Sequence, residues 1–294
     1  MIDLPPLTVV LIVATLVSVV GMPHGGLDHL FGRELFQPRF GRWWPLVFLL
    51  SYFSVAGLVI AGWFVAPVVT VVLFFLVSAW HFGDDPQVSQ PANVVEGGMS
   101  IWVPLLCRPT EVSLLLAWVI PGGEQAWVRE GIDFAQPVLW AIAFFFLVRV
   151  LGERTPDAAG RKVAFGLLFA VLPTLASFTL YFCGWHSTRE LAALAVQADG
   201  RRPWRGLRWV MTAAAPMAFL AVVATVALAW TFAGNREREA VVVQAVFLGL
   251  SAVAVPHILL HVVVRFRNLN PLKVWSPLCP NSITSSSAAG YKAG

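Results

Sequence analysis

Residues 99–120 read MSIWVPLLCRPTEVSLLLAWVI, and how this stretch meets a lipid bilayer decides the arrangement of everything after it. In length and apolar content it matches a membrane crossing, because a hydrocarbon core about 30 Å thick takes roughly 20 apolar residues as a helix. Its middle argues otherwise. Pro104 and Pro109 each remove a backbone donor, and Arg108 and Glu111 place charge beside them. The expectation is a re-entrant segment or a pair of half-helices, tolerated only where protein or a cavity satisfies the backbone.

The surroundings set the solvent. Of 294 residues, 58% are hydrophobic and 12% charged, with a mean hydropathy of +0.75, well above the apolar share of a soluble domain. Apolar runs fall at about 4–22, 45–65, 67–82, 99–120, 135–151, 163–185, 207–232 and 240–264. This pattern predicts an all-α, polytopic transmembrane bundle with about seven crossings plus the broken segment near 99–120. One transmembrane domain is expected over residues 1–275, with a disordered polar tail at 276–294. The run from Leu7 to Met22 lacks the basic flank and small-residue cleavage site of a signal peptide, so it reads as a retained first helix. Cys107, Cys183 and Cys279 form no CxxC pair. The positive charge sits mostly in short loops, where it orients membrane segments and does not imply nucleic acid.

If 99–120 returns to the side it left, Arg33, Arg39, Arg42, Arg129, Arg189, Arg201, Arg202, Arg205, Arg208, Arg265, Arg267 and Lys273 all fall on one face. The positive-inside rule makes that face cytoplasmic, in the cell's inner or plasma membrane, with the N-terminus outside. The opposite face keeps Arg149, Arg154, Arg161, Lys162, Arg236 and Arg238.

The same folding decision governs the histidines. All six lie in apolar runs or at their ends: His24 and His29 in GMPHGGLDHLFG, His81 in SAWHFGDD, His186 in YFCGWHSTRE, and His257 and His261 in VPHILLH. A lone helix-end imidazole is commonly just an interfacial anchor. Six in such positions point to a shared site, because ionisable groups in lipid usually face the bundle interior. With a returning 99–120, the helices carrying His24, His81, His186 and His257 run in one direction and bring their imidazoles to the cytoplasmic end. A single crossing would strand His186 a bilayer away from His24. Imidazole ligands suit Zn, Cu, Fe and Ni, and an imidazole-rich site with an open position suits O₂ chemistry at ferrous iron. Ligating imidazoles usually donate their second N–H to a carboxylate or carbonyl, which makes Asp28, Asp84, Asp85 and Glu190 candidate supports. His29 and His261 are expected around the site. Trp80 and Trp185, each directly before a histidine, are expected either in the interfacial belt or walling an apolar tunnel.

Together, PHGGLDH, AWHFGDD with the EGG segment of Glu96 to Pro104, LYFCGWHSTRE and the late PH pair resemble the Brp/Blh family of β-carotene 15,15′-dioxygenases, in order from His24 to His261. The resemblance implies a catalytic unit that cleaves the central double bond of β-carotene with O₂ at Fe(II), yielding two all-trans-retinal, and a functional association with a retinal-binding rhodopsin. It implies iron ligation by His24, His81 and His186 and by a fourth histidine one turn later. That fourth position is Glu190 here, leaving Glu190 and His257 as rival ligands.

Three other readings are separable. A rhodopsin needs a lysine within a helix for its Schiff base, but Lys162, Lys273 and Lys292 all lie outside the apolar runs. A membrane haem protein would pair histidines across helices. A proton-coupled transporter would use the His and Asp groups as a relay.

Overall fold

The computed structural model describes residues 6–83, 89–234 and 236–267, and among these there are helices and turns but no strand. The first apolar run begins as α1 (Leu7–Leu16), widens into a π-helical turn (Val17–Gly21), tightens into a 3₁₀ turn (Met22–Leu27) and continues as α2 (Asp28–Phe40). A short 3₁₀ turn (Gly41–Trp43) leads into α3 (Trp44–Val65), followed by α4 (Pro67–Phe82) and the short α5 (Gln90–Gly97). Then come α6 (Met99–Cys107), α7 (Pro109–Val119), α8 (Gln125–Leu151) and α9 (Pro156–Val171). After α10 (Thr174–Tyr181) a second π-helical turn (Phe182–Ser187) leads to α11 (Thr188–Ala198), α12 (Pro203–Phe232) and α13 (Arg238–Phe266). Pro156, Pro173 and Pro203 each stand at or just before a helix start, where a missing backbone donor costs nothing.

Among the described residues, four stretches are long and apolar enough to cross a membrane: Leu7–Val65, Gln125–Leu151, Pro203–Phe232 and Arg238–Val264. The bent α6–α7 pair makes a fifth if it is counted as one span. This is fewer than the seven expected from hydropathy. The difference lies in Leu7–Val65, whose 59 residues take in two of the expected runs, in the break within 163–185, and in α4, which at 16 residues is short for a span. The run 163–185, expected as one crossing, is a hairpin of two helices broken at Leu172 and Pro173, with Phe165 against Trp185 and Phe169 against Tyr181. Arg149 and Lys162, expected on the opposite face, reach Glu96 at the end of the molecule that carries His81. The outward faces are hydrocarbon, with Phe134 at 90%, Trp230 at 85% and Leu151 at 77% exposure, an apolar surface that only lipid can cover. This is a membrane protein. α13 is its central post, since 44% of its apolar window is buried, against 6% for α8 and 11% for α12.

The expected break in 99–120 falls at Arg108, where α6 and α7 meet at 118°. Its polar residues do the work that lipid cannot. The Arg108 guanidinium donates to Glu111 (3.1 Å) and to the Val171 carbonyl, an orphan acceptor at the end of α9. Glu111 in turn accepts the Thr174 N–H at 2.7 Å. One ion pair therefore satisfies the backbone at the break between α9 and α10 as well as bracing its own bend. A second polar group ties the EGG segment down: Lys162 donates to Glu96 (2.8 Å) and to Glu153 (2.5 Å). Gly97 brings α5 against the helix that carries His81, because a Cβ there would lie 2.2 Å from the Ala79 carbonyl oxygen.

Candidate metal centre

Four helical segments converge in parallel, each delivering one imidazole. Val10 of α1 shares a core cluster with Val243 of α13 and with Leu175 of α10. Val17 shares the next cluster with Phe182 and Leu250. Beyond these, His24 meets His257 and His186. α4 runs alongside, with Phe74 against Phe247 at its start and His81 against His257 at its end. The common direction expected of these helices is thus present in the packing.

The rings of His24, His186, His81 and His257 form a closed quadrilateral. Centroids lie 5.5 Å apart for His24–His186 and His81–His186, and 5.6 Å apart for His24–His257 and His81–His257. Ligand atoms of His24, His81 and His257 all lie within 4.8 Å of one another. His186 Nε2 is buried without a hydrogen-bond partner, an expensive condition for an imidazole in apolar surroundings. The second ring nitrogens explain how the rings are aimed. His24 Nδ1 lies 2.5 Å from the Gly21 carbonyl oxygen and His257 Nδ1 lies 2.7 Å from Asp28 Oδ1. A carbonyl and a carboxylate can only accept, so each Nδ1 carries the proton and each Nε2 is left as a ligand. Three clustered imidazole nitrogens, with the orphaned His186 ring centred 5.5 Å from two of their rings but outside the clustered ligand atoms, fit a bound transition metal, and an all-nitrogen donor set suits iron among others.

Local backbone irregularity makes this meeting possible. His24 follows one π-helical turn and His186 lies inside the other, and such turns commonly mark functional sites. Gly21 has no Cβ because one would lie 2.4 Å from the Phe182 ring, and Gly26 because one would lie 2.6 Å from the Ala214 carbonyl oxygen.

The other expected residues sort themselves by distance. Asp28 is completely buried; its partner is His257, not the nearby His24. His261 packs on His257 at 4.4 Å between centroids, and its Nε2 lies 3.9 Å from Asp28. His29 sits apart, with Nδ1 on the Gly26 carbonyl at 3.0 Å. Glu190 is exposed on the first turn of α11, within electrostatic reach of His257 but outside both groups of clustered ligand atoms. Asp84, Asp85 and the polar tail lie outside the described residues. Tyr52 was not anticipated. Its hydroxyl donates to Asp28 at 3.0 Å and lies 3.1 Å from the Val253 carbonyl oxygen. The signal for it was a lone tyrosine in the 45–65 run, one of only three in the chain.

His24, His81 and His257 face an elongated apolar cavity bounded by α1, α4, α6, α7, α10 and α13. Phe74, Phe75, Phe178, Phe182 and Phe247 supply its aromatic walls. Of the two readings of Trp80 and Trp185, the tunnel wall is the one not met: neither lines the cavity, Trp80 donating to Gln90 at 3.1 Å and Trp185 lying 39% exposed against Phe165.

These features define a helical membrane protein whose imidazole cluster opens onto a hydrocarbon-lined chamber. Residues 15–264 match the family described as Beta-carotene 15,15'-dioxygenase, and the chain belongs to that family, which makes it a carotenoid dioxygenase. It is 27% identical over 273 residues to the Beta-carotene 15,15'-dioxygenase of Uncultured marine bacterium 66A03, covering 83% of this chain and 90% of that one. It is 29% identical over 210 residues to the Probable beta-carotene 15,15'-dioxygenase Blh of Halobacterium salinarum, covering 62% of this chain and 60% of that one. No solved structure matches.

Proposed function

We propose that this protein cleaves the central 15,15′ double bond of β-carotene with O₂ at a single Fe(II), giving two all-trans-retinal. In the balanced reaction the C=C bond is replaced by two C=O groups, with O₂ as the only co-reactant. His24, His81, His186 and His257 would hold the metal, with His257 taking the fourth place and Glu190 outside it. Ferrous iron, when bound, supplies the activation of O₂ that a closed-shell hydrocarbon cannot provide. The protein's own part is positional. Gly21 and Asp28 aim two of the imidazoles, and the phenylalanine walls hold the polyene still and exclude water. No general acid or nucleophile is needed, so none of the buried polar groups has to transfer a proton. The observation that carries this reading is the closed set of four imidazoles from four helices at one end of an apolar chamber.

The reading extends to placement. Residues 1–275 form one catalytic domain with the N-terminus outside, about seven crossings and the metal towards the cytoplasm of the cell membrane. The arginines that follow the histidine ends of the helices, among them Arg33, Arg39, Arg42, Arg189, Arg201 and Arg202, support that orientation. A substrate already dissolved in lipid enters sideways, and its retinal leaves the same way, available to a retinal-binding rhodopsin.

The test is expression in a β-carotene-producing host with chromatography for retinal, joined to metal analysis of the purified protein. Retinal formation with one iron per chain is expected. A Soret band in the reduced-minus-oxidised spectrum would instead assign the imidazoles to haem. Proton flux in carotenoid-free vesicles without retinal formation would assign them to transport.

A further inference from the structure

Resting on that reading, we propose that α7, the second limb of the broken segment, is the stop against which one end of the carotenoid seats. The depth of the chamber from α7 to the histidines would then select the bond that is cleaved.

The chamber has a direction. On α13 its lining runs through Val242, Val246, Leu250, Val253 and His257, one face of the helix. From Val242 to His257 that face rises about 22 Å, at about 1.5 Å per residue. α1 repeats the pattern from Val10 to His24, and there the rise is about 20 Å. The histidines thus stand at one end of a slot that accommodates a carotenoid from its central bond to one ring, but not the whole molecule.

The far end is closed. Val10 at 2%, Val119 at 1% and Val243 at 8% exposure lie there in one cluster with Val112 and Leu115. α7 lies across that end: its start meets Thr174 of α10 through Glu111 and its last turn meets Gln244 of α13. Val112, Leu115, Leu116 and Val119, at helical spacing, present one face to the chamber.

α7 is also pinned at both ends by polar side chains in an otherwise apolar region. At its start Arg108 and Glu111 fasten it to Val171 and Thr174. At its end the Gln244 amide, 2% exposed, donates to the Val119 carbonyl at 3.0 Å, and Arg236 donates to the Trp118 carbonyl at 3.1 Å. A helix that only filled space would need no such fastening. A stop that fixes the register of a featureless polyene must not yield.

The experiment compares product lengths. Wild-type protein and the variants Leu116→Trp and Val119→Phe are given β-carotene, and the aldehydes are identified by mass spectrometry. Retinal is expected from the wild type. The variants, having shallower slots, are expected to shift the cut by one double bond towards the seated ring and release two unequal aldehydes. Retinal as the sole product of the variants, at whatever rate, overturns the proposal. Should both variants fail to fold, wild-type protein is given shortened carotenals that keep one intact ring. The cut is expected at an unchanged distance from that ring, and a cut that follows the midpoint of each molecule overturns the proposal. Failure of the wild type to cleave β-carotene at all is a different result, which removes the underlying reading and this inference with it.

Discussion

At the scale of single residues the site separates groups that would touch a metal from groups that aim them. Replacing His24, His81, His186 or His257 with alanine removes one of four converging nitrogens, so each variant is expected to lose both bound iron and retinal formation. Metal analysis beside chromatography checks the two losses together. Glu190→Gln is expected to keep both, because Glu190 is exposed on the first turn of α11 while His257 is buried among the other imidazoles; an iron-free Glu190→Gln protein would return the fourth place to the carboxylate. Asp28 acts through His257. Asp28→Asn keeps an acceptor at 2.7 Å from Nδ1 but loses the charge that makes the imidazole a stronger donor to the metal. Weakening of iron binding by roughly 10–100-fold is expected, the range typical when a ligand's outer partner is changed, read by competition with a chelator. Tyr52→Phe removes the hydrogen bond at the opposite carboxylate oxygen and should move affinity in the same direction by less.

At the scale of elements, what holds the site is the set of places where regular helix gives way. Arg108→Met leaves Glu111 without its cation and the Val171 carbonyl without its donor, in surroundings where water cannot substitute. Each unsatisfied buried group costs about 1–3 kcal/mol, so a clear fall in Tm in detergent is expected, with helix content retained below the transition. Gly26→Ala acts differently. Its Cβ would lie 2.6 Å from the Ala214 carbonyl oxygen, so α12 must back away from the segment carrying His24, and loss of bound iron from a folded protein is the expected result. The break at Arg108 was legible in the sequence because two prolines and two charges interrupt 99–120. The break at Pro173 was not, since a single proline in the uniformly apolar run 163–185 leaves hydropathy undisturbed. The π-helical turns before His24 and around His186 were invisible for the same reason: apolar content does not record helical pitch. The convergence of four histidines was read from a returning 99–120 and a crossing 163–185, whereas the chain reaches it with α7 at the far end and with α9 and α10 folded back on each other. The pairing of Asp28 with His257, 229 residues away, could not be read at all, because a carboxylate near two histidines in sequence gives no hint of a third across the bundle.

At the scale of the whole molecule, the metal centre and the membrane orientation are one question. α1, α4, the α10 segment and α13 point their histidine ends the same way, so an odd or even number of crossings between them decides whether such packing is possible in a bilayer. Between α4 and the α10 segment lie α5, α6, α7, α8 and α9, with α6 and α7 meeting at 118°. The pair ends at the far end of the chamber, where Gln244 holds Val119, and α9 and α10 then fold back on each other, Phe165 against Trp185 and Phe169 against Tyr181, so that His186 comes back to within 5.5 Å of His24 between ring centroids. With the histidines on the cytoplasmic side, the turn at Arg201 and Arg202 faces the cytoplasm beside them, and the turn at Gly234 faces outside. The prediction is therefore specific to two loops. A single cysteine introduced at Arg201, in a chain whose native cysteines are replaced, is expected to resist a membrane-impermeant maleimide in whole cells and to react after permeabilisation. One introduced at Gly234 is expected to react in whole cells. The opposite labelling at both loops would put the positive turns outside while leaving the histidines together, and would show that packing, not loop charge, sets the orientation. Reaction of both loops from the same side would break the parallel arrangement on which the four-imidazole site depends.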